Sequence, residues 1–397
     1  MHVELTEQQL ARQQEFAAFV DREVAPFADG FDRAEAIAPE LIEKLARAGY
    51  LALTLPVEYG GEAESMITYG LLHEQVGRGC SSVRSILTVH TMVAHAIARW
   101  GSAAQKKRLL PRLASGEMVA AFCLTEAHAG SDARNMEAVA TKTPDGFRLS
   151  GHKKWITAGQ IARLYLVLAQ CDRQPCAFLV ERDTPGLSIH PIAGMLGVRA
   201  SMLADLVLRD CQVSEEMRVG PIGFGFSHVA GAALDLGRYS VACGCVGIAQ
   251  ACLDACERYV GHRRQFGVLI REHQLIQKML TEAMVGTQAA RLMCYRAGYL
   301  RDKRDAGAML ETAMAKYFAS RMATKIAADA VQIHGANGCS ADYPVQRYLR
   351  DAKIMEIIEG STQVMETLIA NIGLDSRPAL ENPGVGSGPQ KPSDPSY

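Results

Sequence analysis

The segment Ile357-Ile358-Glu359-Gly360-Ser361-Thr362-Gln363 sets one carboxylate in an apolar run and follows it with glycine, shortly after Tyr348-Leu349-Arg350-Asp351-Ala352-Lys353. Burial disfavours a charged carboxylate and raises its pKa, which suits it to take a proton near neutral pH. The glycine lets backbone approach a ligand closely. By pattern alone the same residue is a helix-end glutamate on a solvated face, where most helix charges sit. Two other segments gather chemistry-bearing groups. Phe122-Cys123-Leu124-Thr125-Glu126-Ala127-His128-Ala129-Gly130-Ser131-Asp132 is a small-residue loop rich in hydroxyls and backbone donors, suited to a flat polar ligand or a phosphate. Lys154-Trp155-Ile156-Thr157-Ala158-Gly159 places an aromatic ring and a hydroxyl at a strand end. Either of these, taken singly, also reads as a structural turn.

Other chemistries lack their signatures. The chain contains no HExxH, GxSxG or P-loop motif. Gly223-Phe224-Gly225 lacks the third glycine and buried strand of a dinucleotide fingerprint and reads as a turn. His90 and His95 are five apart, on different helix faces, so no metal site is expected.

The elements that must position these groups change texture twice. Thr6 with Gln9 forms a capping box, and Phe16, Phe19 and Val20 follow at helical spacing. A second helix starts at Pro39 and ends at Gly49, a turn covers 56–61, and helical patterns run over 65–99 and 103–115. From about residue 120, short β-prone runs at 147–150, 164–168, 177–180 and 204–208 alternate with turns, predicting a compact antiparallel β domain or barrel. From about Gly225 to Leu374 the pattern is helical again, and the last twenty or so residues predict a disordered tail. The order is uncommon: an α+β chain with a helical domain at 1–119, a β domain at 120–224, a helical bundle at 225–375 and a tail at 376–397.

A hydrophobic content of 48% and charged content of 21% are those of a soluble globular protein, and a net charge of −1 argues against nucleic acid or an anionic membrane as partner. No apolar run suggests a membrane span, and the N-terminus does not resemble a signal peptide. Eleven dispersed cysteines without a CxxC pair predict reduced core thiols and a cytoplasmic protein.

Together with Glu359, these segments resemble the acyl-CoA dehydrogenase family over nearly the whole chain up to Leu374. The 122–132 loop is similar to the family's TEPGAGSD flavin loop and Trp155-Ile156-Thr157 to its WIT strand. His262-Arg263-Arg264-Gln265-Phe266-Gly267 matches its RxxFG motif, Val331-Gln332-Ile333-His334-Gly335-Ala336-Asn337-Gly338 its QxxGGxG segment, and Glu359-Gly360-Ser361-Thr362 its base motif. The resemblance implies FAD as cofactor, with Phe122, Leu124, Thr125, Gly130 and Ser131 along the flavin and its ribityl side, and Trp155 and Thr157 over the isoalloxazine. It implies that Arg263, Phe266 and Gln332 reach the FAD of a neighbouring subunit in a homodimer or homotetramer, with Gln274, Gly335, Ser361 and Gln363 also on the cofactor. Arg238 matches an arginine that steadies the catalytic loop, Asp235 a pantetheine contact, and Ser131, Ile358 and Gly360 line the substrate. The implied reaction is α-proton abstraction by Glu359 with hydride transfer to flavin N5, followed by reoxidation through an electron acceptor.

Ala127-His128 replaces Pro-Gly in the loop, Ile358 replaces a tyrosine before the base, and Ser361 stands where threonine is common. Arg84 aligns with the helix lining the acyl cavity, and Arg78 resembles the arginine that glutaryl-CoA dehydrogenases use for a substrate carboxylate. An arginine buried there predicts a polar or anionic acyl group; on the other reading both arginines face solvent or a subunit interface. Short segments around Cys80–Ser85, Gly244–Ile248 and Met355–Ser361 are similar to dehydrogenases of antibiotic pathways that act on acyl-carrier-protein thioesters, with members making hydroxymalonyl- or methoxymalonyl-type polyketide extender units. The expected substrate is thus a short polar acyl group on a carrier protein, oxidised at a β-methylene or an aldehyde carbon. Its rivals are a short-chain or dicarboxylic acyl-CoA dehydrogenase of catabolism and a flavin-binding protein without dehydrogenase activity.

Overall fold

The computed structural model describes residues 4–375; the predicted tail at 376–397 lies outside the described residues. Six helices come first: α1 (Glu7–Glu23), α2 (Ala28–Ala34), α3 (Pro39–Arg47), α4 (Met66–Gly79), α5 (Ser81–Trp100) and α6 (Ala103–Ala114). The Thr6–Gln9 capping box is formed, and Phe16, Phe19 and Val20 are the buried face of α1. The long helical pattern expected from residue 65 breaks at Cys80, whose extended backbone (φ −159°, ψ 113°) turns the chain so that α4 and α5 both line the interior.

Eight strands follow: β1 (Ala120–Cys123), β2 (Val139–Thr143), β3 (Gly146–Ile156), β4 (Leu164–Cys171), β5 (Gln174–Glu181), β6 (Leu187–Pro191), β7 (Ala204–Val213) and β8 (Arg218–Val219). They form one sheet in the order β6-β7-β3-β2-β4-β5-β8, with β1 beside β4. The expected antiparallel barrel is corrected in two respects. β1 and β2 each pair with β4 in parallel, and the path ends on β6 and β8 without their pairing. β4 shows why the sheet is buried on both faces. Leu164, Leu166 and Leu168 face the helical core, while Tyr165, Val167 and Ala169 face a second core within the β domain, the period-two alternation of a strand.

The C-terminal segment holds α7 (Gly231–Val260), a small hairpin of β9 (Arg264–Gln265) and β10 (Val268–Leu269), then α8 (Gln274–Asp302), α9 (Ala308–His334), α10 (Val345–Met355) and α11 (Thr362–Asp375). The bundle reaches beyond its own segment, because α4 packs on α7 and α8. Glycine makes that contact possible: a Cβ on Gly247 would stand 2.1 Å from the Glu74 carbonyl oxygen. Contrary to the sequence expectation, Gly225–Val260 is long and apolar enough to cross a membrane, but most of it is buried as the core of this bundle. Three segments are bolted together beside α10: Arg350 pairs with Asp32 at 2.6 Å and donates to the Leu196 carbonyl, and Asp351 accepts the Val198 amide at 2.6 Å.

Candidate active site

Glu359 lies in the turn between α10 and α11, with φ +55°, followed by Gly360 at φ +103°. A left-handed glutamate is uncommon and stores strain of about 1–3 kcal/mol unless its surroundings hold it. Two cations do so: Arg238 Nε donates to the Glu359 carbonyl at 3.0 Å, and Lys316 Nζ donates to the Gly360 carbonyl at 2.6 Å. The side chain turns inward, where its Oε2 is buried without a hydrogen-bond partner. Gly237 of α7 leaves room for it, since a Cβ there would come within 2.7 Å of Oε2 and 2.8 Å of Met92 Sδ. Burial pushes the Glu359 carboxyl up to about 7, against the opposing pull of Arg238, Arg84 and Lys316. A carboxylate so placed can accept a proton at neutral pH.

Arg84 of α5 is 1% exposed. Its guanidinium donates to Thr88 (3.1 Å), Ser85 (2.8 Å), Ser240 (3.4 Å) and the Met355 sulfur (3.2 Å), while Nε has no partner. Behind it runs a buried polar chain: the Thr88 hydroxyl meets that of Ser240 at 2.6 Å, which meets His73 Nδ1 at 2.8 Å. Burial, then the Arg84 charge, drives His73 well below its ordinary value, so it stays neutral. No carboxylate is hydrogen-bonded to Arg84, Arg238 or Lys316 among the described residues. Arg78 is placed apart from this cluster, at the end of α4, bonded to Asp21 (2.7 Å) and Gln75 (2.9 Å). Asp235 pairs with Arg301 through one oxygen, and its other oxygen is buried and unpartnered. Ile358 is part-buried against the main core, and Ser361 accepts the Val364 amide at the start of α11, where Gln363 is exposed.

The 122–132 loop leaves the end of β1 with Phe122 and Leu124 buried, Thr125 half-buried, and Gly130 and Ser131 exposed. A buried ion pair fixes it: Lys153, with no exposed surface, meets Glu126 at 2.6 Å and also donates to the Leu124 carbonyl at 3.1 Å. Burial opposes the Glu126 charge, but Lys153 and the amides of Glu137 and Ala138 prevail and hold its carboxyl below the ordinary value. Lys153→Met leaves that carboxylate buried and short of its partner. The expected loss is about 3–5 kcal/mol, read as a lower melting temperature with loss of bound FAD; an unchanged melting curve would remove the pair from the loop's support. A bulge between Lys153 and Ile156 in the β3–β7 ladder re-aims Trp155, which has φ +60° and is 46% exposed. Thr157 follows, half-buried. With open space where a Gly130 side chain would lie and a half-exposed indole on the adjoining strand, these residues fit a flat aromatic cofactor.

Arg263, Phe266, Gln274, Gln332 and Gly335 are exposed in the single chain, Phe266 by 94% at the tip of the β9–β10 hairpin. Lys316, Gly237 and the Lys153–Glu126 pair escaped the sequence reading. A lysine among Ala313, Ala315 and Ala319 on a small-residue helix stripe was the available signal for Lys316.

Residues 6–117, 121–211 and 223–374 match the N-terminal, middle and C-terminal domains of acyl-CoA dehydrogenase. An acyl-CoA dehydrogenase of Bacillus subtilis is 36% identical over 93% of this chain and 98% of its own length. The structure of a glutaryl-coenzyme A dehydrogenase in complex with glutaryl-CoA is 34% identical, with a TM-score of 0.91 over 95% of this chain and 98% of that one. The prolyl acyl carrier protein oxidase AnaB superimposes with a TM-score of 0.88 at 26% identity, over 93% of this chain and 99% of that one. With three domain matches in order and relatives spanning its length, the chain belongs to the acyl-CoA dehydrogenase family, FAD-dependent oxidoreductases of acyl thioesters.

Proposed function

We propose that this chain oxidises a short acyl thioester whose far end is anionic or strongly oxygenated, carried on the phosphopantetheine arm of a carrier protein. The charge balance around the base supports the acyl part. Glu359 is the carboxylate that acts on Arg84, Arg238 and Lys316 alike. When it takes a proton, the local positive charge is greatest, at the moment the acyl group becomes an enolate. Arg84 still lacks a carboxylate partner, and a buried guanidinium is costly until one arrives. A carboxylate or hydroxyl on the acyl group would supply it.

In this reading Glu359 removes the α-proton, and the free oxygen of Asp235 accepts an amide of the pantetheine arm. Phe122, Leu124, Thr125, Gly130, Ser131, Trp155 and Thr157 hold FAD, with Ser361 and Gln363 at its edge. FAD supplies the hydride acceptor, and a separate electron acceptor restores it. The exposed Arg263, Phe266, Gln274, Gln332 and Gly335 reach the cofactor of a second copy, so the working unit is at least a dimer.

The carrier tether is supported by the likeness to AnaB; the likeness to the glutaryl-CoA complex favours a second reading, a dicarboxylic acyl-CoA substrate. One acyl group presented as its CoA and as its carrier-protein thioester separates them. A preference for the carrier form of about tenfold in kcat/KM, equivalent to ~1.4 kcal/mol, is expected. Equal turnover would sink the carrier and leave the dicarboxylic CoA substrate.

A further inference from the structure

We propose that Lys316 is a positioning residue for the base: its ammonium holds the Gly360 carbonyl, completes with Arg238 a two-cation clamp on the left-handed turn, and keeps positive charge facing the Glu359 carboxylate. This rests on Glu359 being the base.

Three observations carry it. Lys316 has no exposed surface, and among the described residues its one hydrogen bond from the ammonium goes to the Gly360 carbonyl at 2.6 Å. The preceding carbonyl, that of Glu359, accepts from Arg238 at 3.0 Å. Both residues so held have positive φ, an arrangement a glutamate does not adopt unaided. A carbonyl alone does not require a cation. A neutral amide donor would satisfy it without the cost of burying an ammonium ion. Burial indeed pulls Lys316 down to about 8, opposed by Cys245, Glu359 and Glu356 and assisted by Arg238. The retained charge acts on the Glu359 carboxylate from α9, as Arg84 does from α5 and Arg238 from α7. The uncharged Gly237 borders Oε2, and the Met92 sulfur lies beside the same glycine.

The test uses two variants of the FAD-loaded enzyme: Lys316→Gln, which keeps a donor and removes the charge, and Lys316→Met, which removes both. Reduction of bound flavin by butyryl thioester is followed anaerobically from pH 6 to 9.5, with FAD content read from the visible spectrum. Both variants should move the midpoint of the pH profile upward by about one unit, because an opposing cation has gone. Lys316→Met should also lower the high-pH plateau by about tenfold as the turn loosens, while Lys316→Gln stays near wild type there. A yellow Lys316→Gln enzyme with an unmoved midpoint overturns the proposal, as does a loss uniform across pH in both variants. If neither variant holds FAD, Lys316→Arg, which keeps both donor and charge, carries the test: it should bind FAD and keep the wild-type midpoint, and a colourless Lys316→Arg enzyme or one with a shifted midpoint overturns the proposal. Glu359→Gln measured alongside keeps the outcomes apart, since normal reduction there rejects the base itself.

Discussion

Replacing Glu359 with glutamine is expected to leave a yellow, FAD-bound enzyme that its substrate no longer reduces. The amide fills the same space above Gly237, but it cannot accept the α-proton. A positioned general base contributes on the order of 10²–10⁴ in rate, and the high end is expected because Oε2 has no hydrogen-bond partner to be rearranged first. Anaerobic stopped-flow reduction measures it, and near-normal reduction would refute the assignment. The wild-type rate should climb with pH through about 7, the value to which burial lifts the carboxyl. Stability gives an independent reading with a definite sign. The folded carboxyl keeps its proton to about pH 7, while an unfolded one loses it near 4.5. Between these values the native state binds more protons, so stability falls as pH rises, by about 3 kcal/mol once pH exceeds 7. Glu359→Gln removes that cost. It should melt above the wild type at pH 8 and together with it at about pH 4, below the unfolded value.

The same residue shows what a sequence can and cannot disclose. Glu359 was legible as a candidate base because its type, its glycine neighbour and the distant 122–132 and 155–157 segments occur in a fixed order. The strained turn that aims it was not, since a positive φ at a glutamate is imposed by partners on α7 and α9, more than 40 residues away in sequence. Local periodicity read α1 and the change to strands near residue 120 correctly. It could not see that β1 and β2 would lie parallel to β4, which is decided by chain connections rather than alternation. Nor could it distinguish Arg78 from Arg84. The two lie six residues apart in helical patterns, yet the Cys80 break sends one to Asp21 and the other into the interior. The burial of Lys153 follows from tertiary packing alone, and the only local signal for Lys316 was the small-residue stripe around it.

Arg84→Gln is the substitution with the largest expected effect on specificity. Against a thioester ending in a carboxylate, kcat/KM should fall by about 10²–10³, the equivalent of roughly 3–4 kcal/mol for losing one side of a buried charge pair. Butyryl thioester has nothing to give Arg84, but it will still respond at pH 7 for a different reason. Arg84 is one of the three cations that hold the Glu359 carboxyl down, so its loss leaves less of the base ionised. That effect disappears at pH 9, where the base is ionised in both enzymes, and there the butyryl rate should return close to wild type while the anionic substrate stays impaired. The pH 9 comparison therefore isolates recognition from base chemistry. Equal losses on both substrates at that pH would place Arg84 outside the acyl pocket and with it remove the case for a polar acyl group. Stability should move the opposite way: an Arg84→Met enzyme without substrate sheds a buried guanidinium that has no carboxylate partner and an unpaired Nε, so it should melt no lower than the wild type. A side chain that weakens the empty protein and strengthens only one class of complex is retained for that complex.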